Sequence, residues 1–346
     1  MKDAMVTAPR DSRERRVTVR DVAAHAGVSQ ATVSQVLSGS RPVAEETRAR
    51  VLAAVQELGY RPNHFARALR QQKSHTVAIV VPNITHVTYP MVARGAGEIL
   101  GPLGYQVALY DTNGLRATEK QIVRTLTDRM VDGAIVFGYP LAPSDARMLQ
   151  ESGVAVVNGS PGSESSPLWD TVQVDETAAL RYLTRTLAAR YDGPIAYIGG
   201  PSGHNTAPRR EAGFRAGMQD LTLATDPRLT TSAPYTWAGG RSALTAMLEA
   251  GLRPRLVVCA NDMIAIGAIA AAREYGLDVP GEVAVSGYDN IDAAEMAVPP
   301  LTTVEASPFE QGRAAARLLL ERMTDTYRGP ARHLTLSAEP VIRASA

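Results

Sequence analysis

The chain has 346 residues, 45% of them hydrophobic, with 36 Lys/Arg against 35 Asp/Glu. That length allows two or three domains with ample core, and the composition excludes wholesale disorder. No apolar run approaches the roughly 18 residues of a membrane helix, and the lone Cys259 can form neither an internal disulfide nor a cysteine zinc site. The opening MKDAMVTAPRDSRERR has no apolar segment of the secretory kind, so a cytoplasmic protein without membrane contact is expected.

Charge is unevenly distributed. Residues 1–74 hold 13 Lys/Arg and 7 Asp/Glu, a net of +6, whereas the remainder holds 23 and 28, a net of −5. Clustered cations gain free energy by displacing counterions from phosphates, so a basic head on an acidic body points to a polyanion-binding module. Residues 1–16 read as a flexible basic tail. Next, Val19, Val22, Ala23 and Ala26, then Val33, Val36 and Leu37, fall at helical spacing around Ala26-Gly27-Val28-Ser29. Gly27 supplies the positive φ of a tight interhelix turn, Val28 can plug the angle, and Ser29 caps the second helix. The pattern predicts a helix-turn-helix whose second helix enters the major groove.

Burying Val33, Val36 and Leu37 turns Gln30, Ala31, Ser34 and Gln35 outward. A Gln amide can pair with adenine and the Ala31 methyl can touch a thymine methyl, while Ser29, Thr32 and Ser34 suit phosphate oxygens. A third helix, Glu45 to Leu58, places Val51, Leu52, Val55 and Leu58 in a three-helix core, and Gly59 ends it. After Pro62 and Asn63, a possible cap, the stretch to Arg70 is a helix of about two turns, marginal alone in water. It would order only against DNA and a partner chain, with Leu69 as a minor-groove wedge between the phosphate anchors Arg67 and Arg70.

The motifs Val17-Thr18-Val19-Arg20-Asp21-Val22-Ala23, Ala26-Gly27-Val28-Ser29, Thr32-Val33-Ser34, Thr47-Arg48, Leu58-Gly59-Tyr60, Pro62-Asn63 and Ala66-Arg67-Ala68-Leu69-Arg70 resemble those of the lactose-repressor (LacI) family of bacterial regulators. The resemblance implies operator binding as a homodimer or a higher assembly, with Gln30, Ala31 and Gln35 reading bases and Leu69 wedging a central step. It adds Thr18, Tyr60, Asn63 and Ala66 to the DNA-contacting set. Position 35 is commonly Arg in the family, so Gln35 predicts a different operator. Ser38 and Ala44 stand where the family usually has Asn and Ser, which removes a phosphate contact and a helix cap. The domains implied are a helix-turn-helix over 17–61, a hinge over 62–74 and a two-lobed body over 75–346. The first lobe takes about 75–174 and 304–333, the second about 175–303 and 334–346.

In that body, short apolar runs alternate with amphipathic stretches: 77–81, 107–110, 134–137, 154–157, 195–198, 256–259 and 283–286. Apolar strands without alternation are buried on both faces, so an α/β fold with parallel sheets is expected, in two lobes with a cleft. Ligands in such sheets bind beyond the carboxyl ends of strands. That rule selects Asn83, Thr85, His86 and Tyr89, the segment 199–210, Asn261-Asp262 and Gly287-Tyr288-Asp289-Asn290. Amides, carboxylates, a guanidinium and rings suit a small polyhydroxylated ligand.

The resemblance implies a periplasmic-binding-protein-like body in which Arg210 grips the ligand, His204 and Thr206 add contacts, and Asn261, Asp262 and Asp289 bind effector. Tyr235 falls at a stacking position, with Trp237 as its rival. Leu301-Thr302-Thr303-Val304 matches the family's crossover between lobes. Its usual Asn-Pro-Phe-Phe is here His86-Val87-Thr88-Tyr89, on one wall of the pocket, and Asp192-Gly193-Pro194 replaces a usual Gly-His. No nucleophile elbow, phosphate loop or metal-ligand spacing appears, so no enzyme, metal or cofactor is expected. The expected function is a repressor controlled by a sugar. The alternatives are a purine or nucleoside corepressor and, in a different class, a sugar-binding protein without DNA function.

Overall fold

A computed structural model describes residues 17–38, 41–60, 73–137, 143–159, 168–202 and 206–346. The chain divides into two units, Met1–Gln72 and Lys73–Ala346.

In the first unit, helices α1 (Val19–Ala26), α2 (Gln30–Ser38) and α3 (Glu45–Glu57) pack together. Thr18 caps α1: its hydroxyl accepts from Asp21 N at 3.4 Å, and Asp21 accepts from Thr18 N at 2.8 Å. Gly27 ends the helix at φ +65°, the left-handed geometry glycine adopts without a Cβ penalty. Ser29 Oγ accepts from Thr32 N at 3.1 Å and starts α2, while Ala44, before α3, makes no side-chain cap. Val22, Ala23, Ala26, Val33, Val51 and Ala54 form the core. Leu52 is 45% exposed, which corrects the expectation that it is a core residue. Val51, Ala54, Val55 and Leu58 recur at i, i+3, i+4 and i+7, and Leu52 lies about 100° off that stripe.

The second unit contains two parallel sheets. Its first sheet joins β1 (Thr76–Val81), β2 (Gln106–Asp111), β3 (Gly133–Val136), β4 (Ala155–Asn158), β5 (Asp170–Val174) and β11 (His333–Leu336), in the order β11-β5-β4-β3-β1-β2. Alternate residues of β1 enter two cores. Val77, Ile79 and Val81 face α4 (Thr88–Leu100) and α12 (Pro308–Met323); Ala78 and Val80 face α5 (Arg116–Thr125) and α6 (Pro143–Ser152). The second sheet orders β7 (Thr230–Ser232), β6 (Ile195–Gly199), β8 (Leu256–Cys259) and β9 (Ala284–Ser286). It packs with α7 (Glu176–Ala188), α8 (Thr206–Asp220), α9 (Trp237–Glu249), α10 (Asp262–Glu274) and the short α11 (Asp292–Met296). The antiparallel pair β10 (Thr303–Glu305) and β12 (Glu339–Val341) lies outside both sheets.

The start of β5 is clamped. Asp170 has no exposed side-chain surface and accepts from Arg322 Nε and Nη2 at 3.0 and 2.7 Å, and from Arg332 N and Nη2 at 2.8 and 2.7 Å. Burial alone would raise this carboxyl, but the arginine hydrogen bonds outweigh it and hold the pKa at about 2, below the ordinary 3.8. A depressed carboxyl contributes stability above its unfolded pKa that is lost as pH falls through the folded one. Asp170→Asn should therefore cost about 1–3 kcal/mol at neutral pH. In pH-dependent thermal melts, the deficit relative to wild type should shrink between pH about 4 and 2.

Candidate DNA-reading helix and effector cleft

On α2, Gln30 and Ala31 are exposed, Thr32, Ser34 and Gln35 are half-buried, and Val33 is buried. The apolar side thereby faces the core, and the first turn leaves an amide and a methyl exposed. The hydroxyls of Thr18 and Ser29 serve as helix caps, and Ser29 Oγ lies 2.9 Å from Thr32 Oγ1. Tyr60 packs half-buried against the helical core, and that burial raises its hydroxyl pKa. Asn63, Ala66, Arg67, Leu69 and Arg70 lie outside the described residues, as do the tail 1–16, most of the proposed hinge and His204.

In the second unit a cleft, partly open to solvent, lies between the lobes. The first lobe contributes His86, Thr88 and Tyr89 from the segment after β1, Phe137 and Gly159 after β3 and β4, Gln173 and Val174 from β5, and Gln311 from α12. The second contributes Glu176, Thr206, Arg209, Arg210, Tyr235, Tyr288 and Asp289.

Arg210 organises this wall. Its Nε and Nη2 donate to Glu176 Oε1 at 3.1 and 3.0 Å, Nη2 donates to Asp289 Oδ1 at 3.1 Å, and Nη1 donates to the Ala260 carbonyl at 2.6 Å. The guanidinium lies 3.9 Å from the Tyr288 ring centroid. Burial opposes its charge, yet Asp289 and Glu176 hold its pKa well above the ordinary value. Burial pushes the Asp289 carboxyl up, with Arg210 and then His86 pulling it down. His86 Nε2 stands 4.0 Å from Asp289 Oδ2 and its Nδ1 lies 2.8 Å from Thr88 Oγ1. Burial lowers the His86 pKa against the pull of Asp289, with the charge of Arg210 adding to the lowering. Rings of Tyr89, Phe137 and Tyr235 stand nearby, and the Tyr235 hydroxyl is 3.0 Å from Thr206 Oγ1. Such a wall can grip hydroxyl groups and cover an apolar sugar face.

The Asp289 backbone is strained, at φ +107°, with Asn290 at +50°. Straps to the crossover strand hold it: Asp289 N donates to Val304 O at 2.9 Å, and Asn290 Nδ2 to Glu305 Oε2 at 2.7 Å. Arg343 Nη2 donates to Asn290 Oδ1 at 2.8 Å. The loop that carries a cleft carboxyl is thus tied to the segment that passes between lobes.

His86, Tyr89, Thr206, Arg210, Tyr235 and Asp289, all selected from sequence, share the cleft wall, whereas Asn83, Asn261 and Asp262 do not reach it. Asn83 Oδ1 accepts from Thr85 N and Oγ1 at 2.9 and 2.7 Å in an exposed turn. Asn261 caps α10, accepting from Ile264 N at 2.9 Å. Asp262 is buried behind the wall, accepting from Thr303 Oγ1 at 2.5 Å and Ile291 N at 2.9 Å. Burial, then the charge of Asp289, push its carboxyl up to about 8. Trp237 is 41% exposed and absent from the wall. Sequence reasoning missed Glu176, Gln173, Phe137 and Gln311. Arg209 and Tyr288, within the strand-end segments that the sequence points to, also line the wall.

A three-helix reader carried on one chain with a two-lobed cleft defines a ligand-responsive DNA-binding regulator. Residues 18–63 match the family model of bacterial regulatory proteins, lacI family, and residues 184–346 that of the periplasmic binding protein-like domain. The HTH-type transcriptional regulator MalR of Streptomyces coelicolor is 36% identical over 339 residues, 94% of this chain and 95% of its own. The solved complex of the transcriptional regulator CelR with cellobiose is 30% identical with a TM-score of 0.73, covering 96% of this chain and 100% of that one. The lac repressor dimer bound to operator and the anti-inducer ONPF is 26% identical with a TM-score of 0.84, over 96% and 99% of the two chains. The chain belongs to the lactose-repressor family of DNA-binding transcriptional regulators, which are not enzymes. Among the described residues, no helix is long and apolar enough to cross a membrane, and no His/Cys/Asp/Glu group could hold a metal ion.

Proposed function

We propose that the chain represses transcription by binding a palindromic operator as a homodimer, and that a sugar in the cleft controls this binding. The observation that carries the effector half is the Arg210–Glu176–Asp289 cluster faced by aromatic rings, a combination suited to vicinal hydroxyls and a sugar's apolar face. Relatives support both halves: one solved regulator holds cellobiose, and the lac repressor binds operator as a dimer. In this reading Gln30, Ala31 and Gln35 read base edges. Thr18, Ser29, Thr32, Ser34 and Tyr60 position the helix on phosphates. Asn63, Ala66, Arg67, Leu69 and Arg70 form the hinge, with Leu69 as wedge.

Ligand closes the lobes, and the change reaches the hinge through the dimer, with coupling of about 1–3 kcal/mol. A thermal-shift screen of sugars and nucleosides identifies the effector. Asp289→Ala should then abolish the ligand-induced rise in melting temperature, and undiminished stabilisation would place the site elsewhere. On the DNA side, Gln35→Ala should relax preference at one operator position by about 1–3 kcal/mol. Site selection from random duplexes reads this, and an unchanged profile would remove Gln35 from the readout.

A further inference from the structure

We propose that Glu176 makes the cleft selective for uncharged ligands by occupying the two guanidiniums that would otherwise attract a carboxylate or phosphate. The proposal rests on the cleft being the effector site. Each Glu176 oxygen takes one arginine: Oε1 accepts from Arg210, and Oε2 accepts from Arg209 Nε at 2.8 Å. Asp289 takes a further Arg210 hydrogen bond. Among the described residues lining the cleft, two guanidiniums therefore meet two carboxyl groups, and burial disfavours the charged form of His86.

Local structure does not require this glutamate. Helix α7 is already capped by Asp175, whose carboxylate accepts from Ala178 N at 2.9 Å. Glu176 follows directly as the first helical residue and is buried against the arginines, with 7% of its side chain exposed. An anion entering this wall would have to displace a carboxylate or lie beside two of them in a poorly screened interior. A sugar hydroxyl meets no such conflict, because it can donate to a carboxylate and accept from a guanidinium at once. The same reasoning gives the consequence of removing the charge. With glutamine at position 176, Arg210 keeps Asp289 but loses its hydrogen bonds to a second carboxylate, and Arg209 loses its ion pair with Glu176. The cleft, one negative charge poorer, becomes a receptor for a doubly ionised oxyanion.

The test uses the full-length protein and inorganic phosphate as the probe, at constant ionic strength set with chloride, read by calorimetric titration and thermal shift. Wild type should show no saturable phosphate binding. Glu176→Gln should bind phosphate at least tenfold more tightly and gain a saturable rise in melting temperature. Glu176→Asp, which keeps the charge, should behave as wild type, and the double variant E176Q/R210Q should lose the gain. Saturable phosphate binding by wild type, or a folded E176Q without the gain, would overturn the proposal. Should E176Q fail to fold, the wild-type and E176D titrations still decide: binding by either contradicts the proposal, and silence from both supports it. Failure of the sugar screen would remove the effector reading, whereas the phosphate titrations judge the charge filter alone.

Discussion

Arg210→Ala is expected to destabilise the second unit by about 3–5 kcal/mol and to abolish effector binding, the largest loss for any single cleft residue. The guanidinium makes three hydrogen bonds to the carboxyl groups of Glu176 and Asp289 and one to the Ala260 carbonyl. Its removal leaves those groups buried without their main partner, and the cost of stranding a charge exceeds the net worth of the pair. Chemical denaturation of variant and wild type, followed by tryptophan fluorescence, reads the difference. A neutral triple variant, R210M/E176Q/D289N, separates charge from packing. Replacing a whole ionic cluster with neutral groups of similar volume is often nearly free, so this variant should recover most of the lost stability and still fail to bind effector. A triple variant as unstable as Arg210→Ala would assign the loss to packing.

Gly312→Val should cost about 3 kcal/mol or more, at the upper end of overpacking effects. A Cβ at Gly312 would lie 2.0 Å from the Val92 carbonyl oxygen, and one at Gly95 would lie 2.0 Å from the Phe309 carbonyl oxygen. The two glycines thus bring α4 and α12 together backbone to backbone, and a carbonyl cannot rotate aside as a side chain can. The consequence extends to function, because α4 carries Tyr89 and α12 carries Gln311, both on the cleft wall. Gly97, also on α4, supplies the control, since a Cβ there meets nothing within 4 Å. Gly97→Ala should be neutral or stabilising by up to about 1 kcal/mol, from helix propensity alone. Melting temperatures of Gly312→Val and Gly97→Ala should therefore move in opposite directions or differ by many degrees.

The helical head was legible because its punctuation is local: Thr18, Gly27 and Ser29 each act within four residues of themselves. Apolar strands such as Val77–Val81 were legible because burial on both faces excludes polar residues. Asp170–Val174 and His333–Leu336 escaped because polar residues interrupt both, Asp170, Thr171 and Gln173 in one and His333 and Thr335 in the other, and the second strand lies mostly exposed at the edge of the sheet. Glu176 escaped for a different reason. After Asp175 it looks like an ordinary first-turn acid, and its partners stand 33 and 34 positions away. Asn261 and Asp262 show the reverse case. Polar groups at a strand end look like ligand contacts, yet one is a helix cap and the other holds the crossover. Thr236 separates the surroundings of Tyr235 and Trp237. It caps α9, so Trp237 begins the helix and stays exposed, while Tyr235 lies so close to Gly200 that a Cβ there would be 2.1 Å from its hydroxyl.

The central claim is that occupancy of the cleft sets the grip on DNA. Fluorescence anisotropy of the full-length protein on a palindromic duplex recovered by selection tests it, across salt and with or without the sugar found by thermal shift. Affinity should fall steeply with salt. It should move at least about fivefold when sugar is added, the lower bound of ordinary allosteric coupling. Asp289→Ala should erase that shift while leaving sugar-free affinity intact. An affinity identical with and without saturating sugar, or no palindrome preferred over random duplex, would contradict the account.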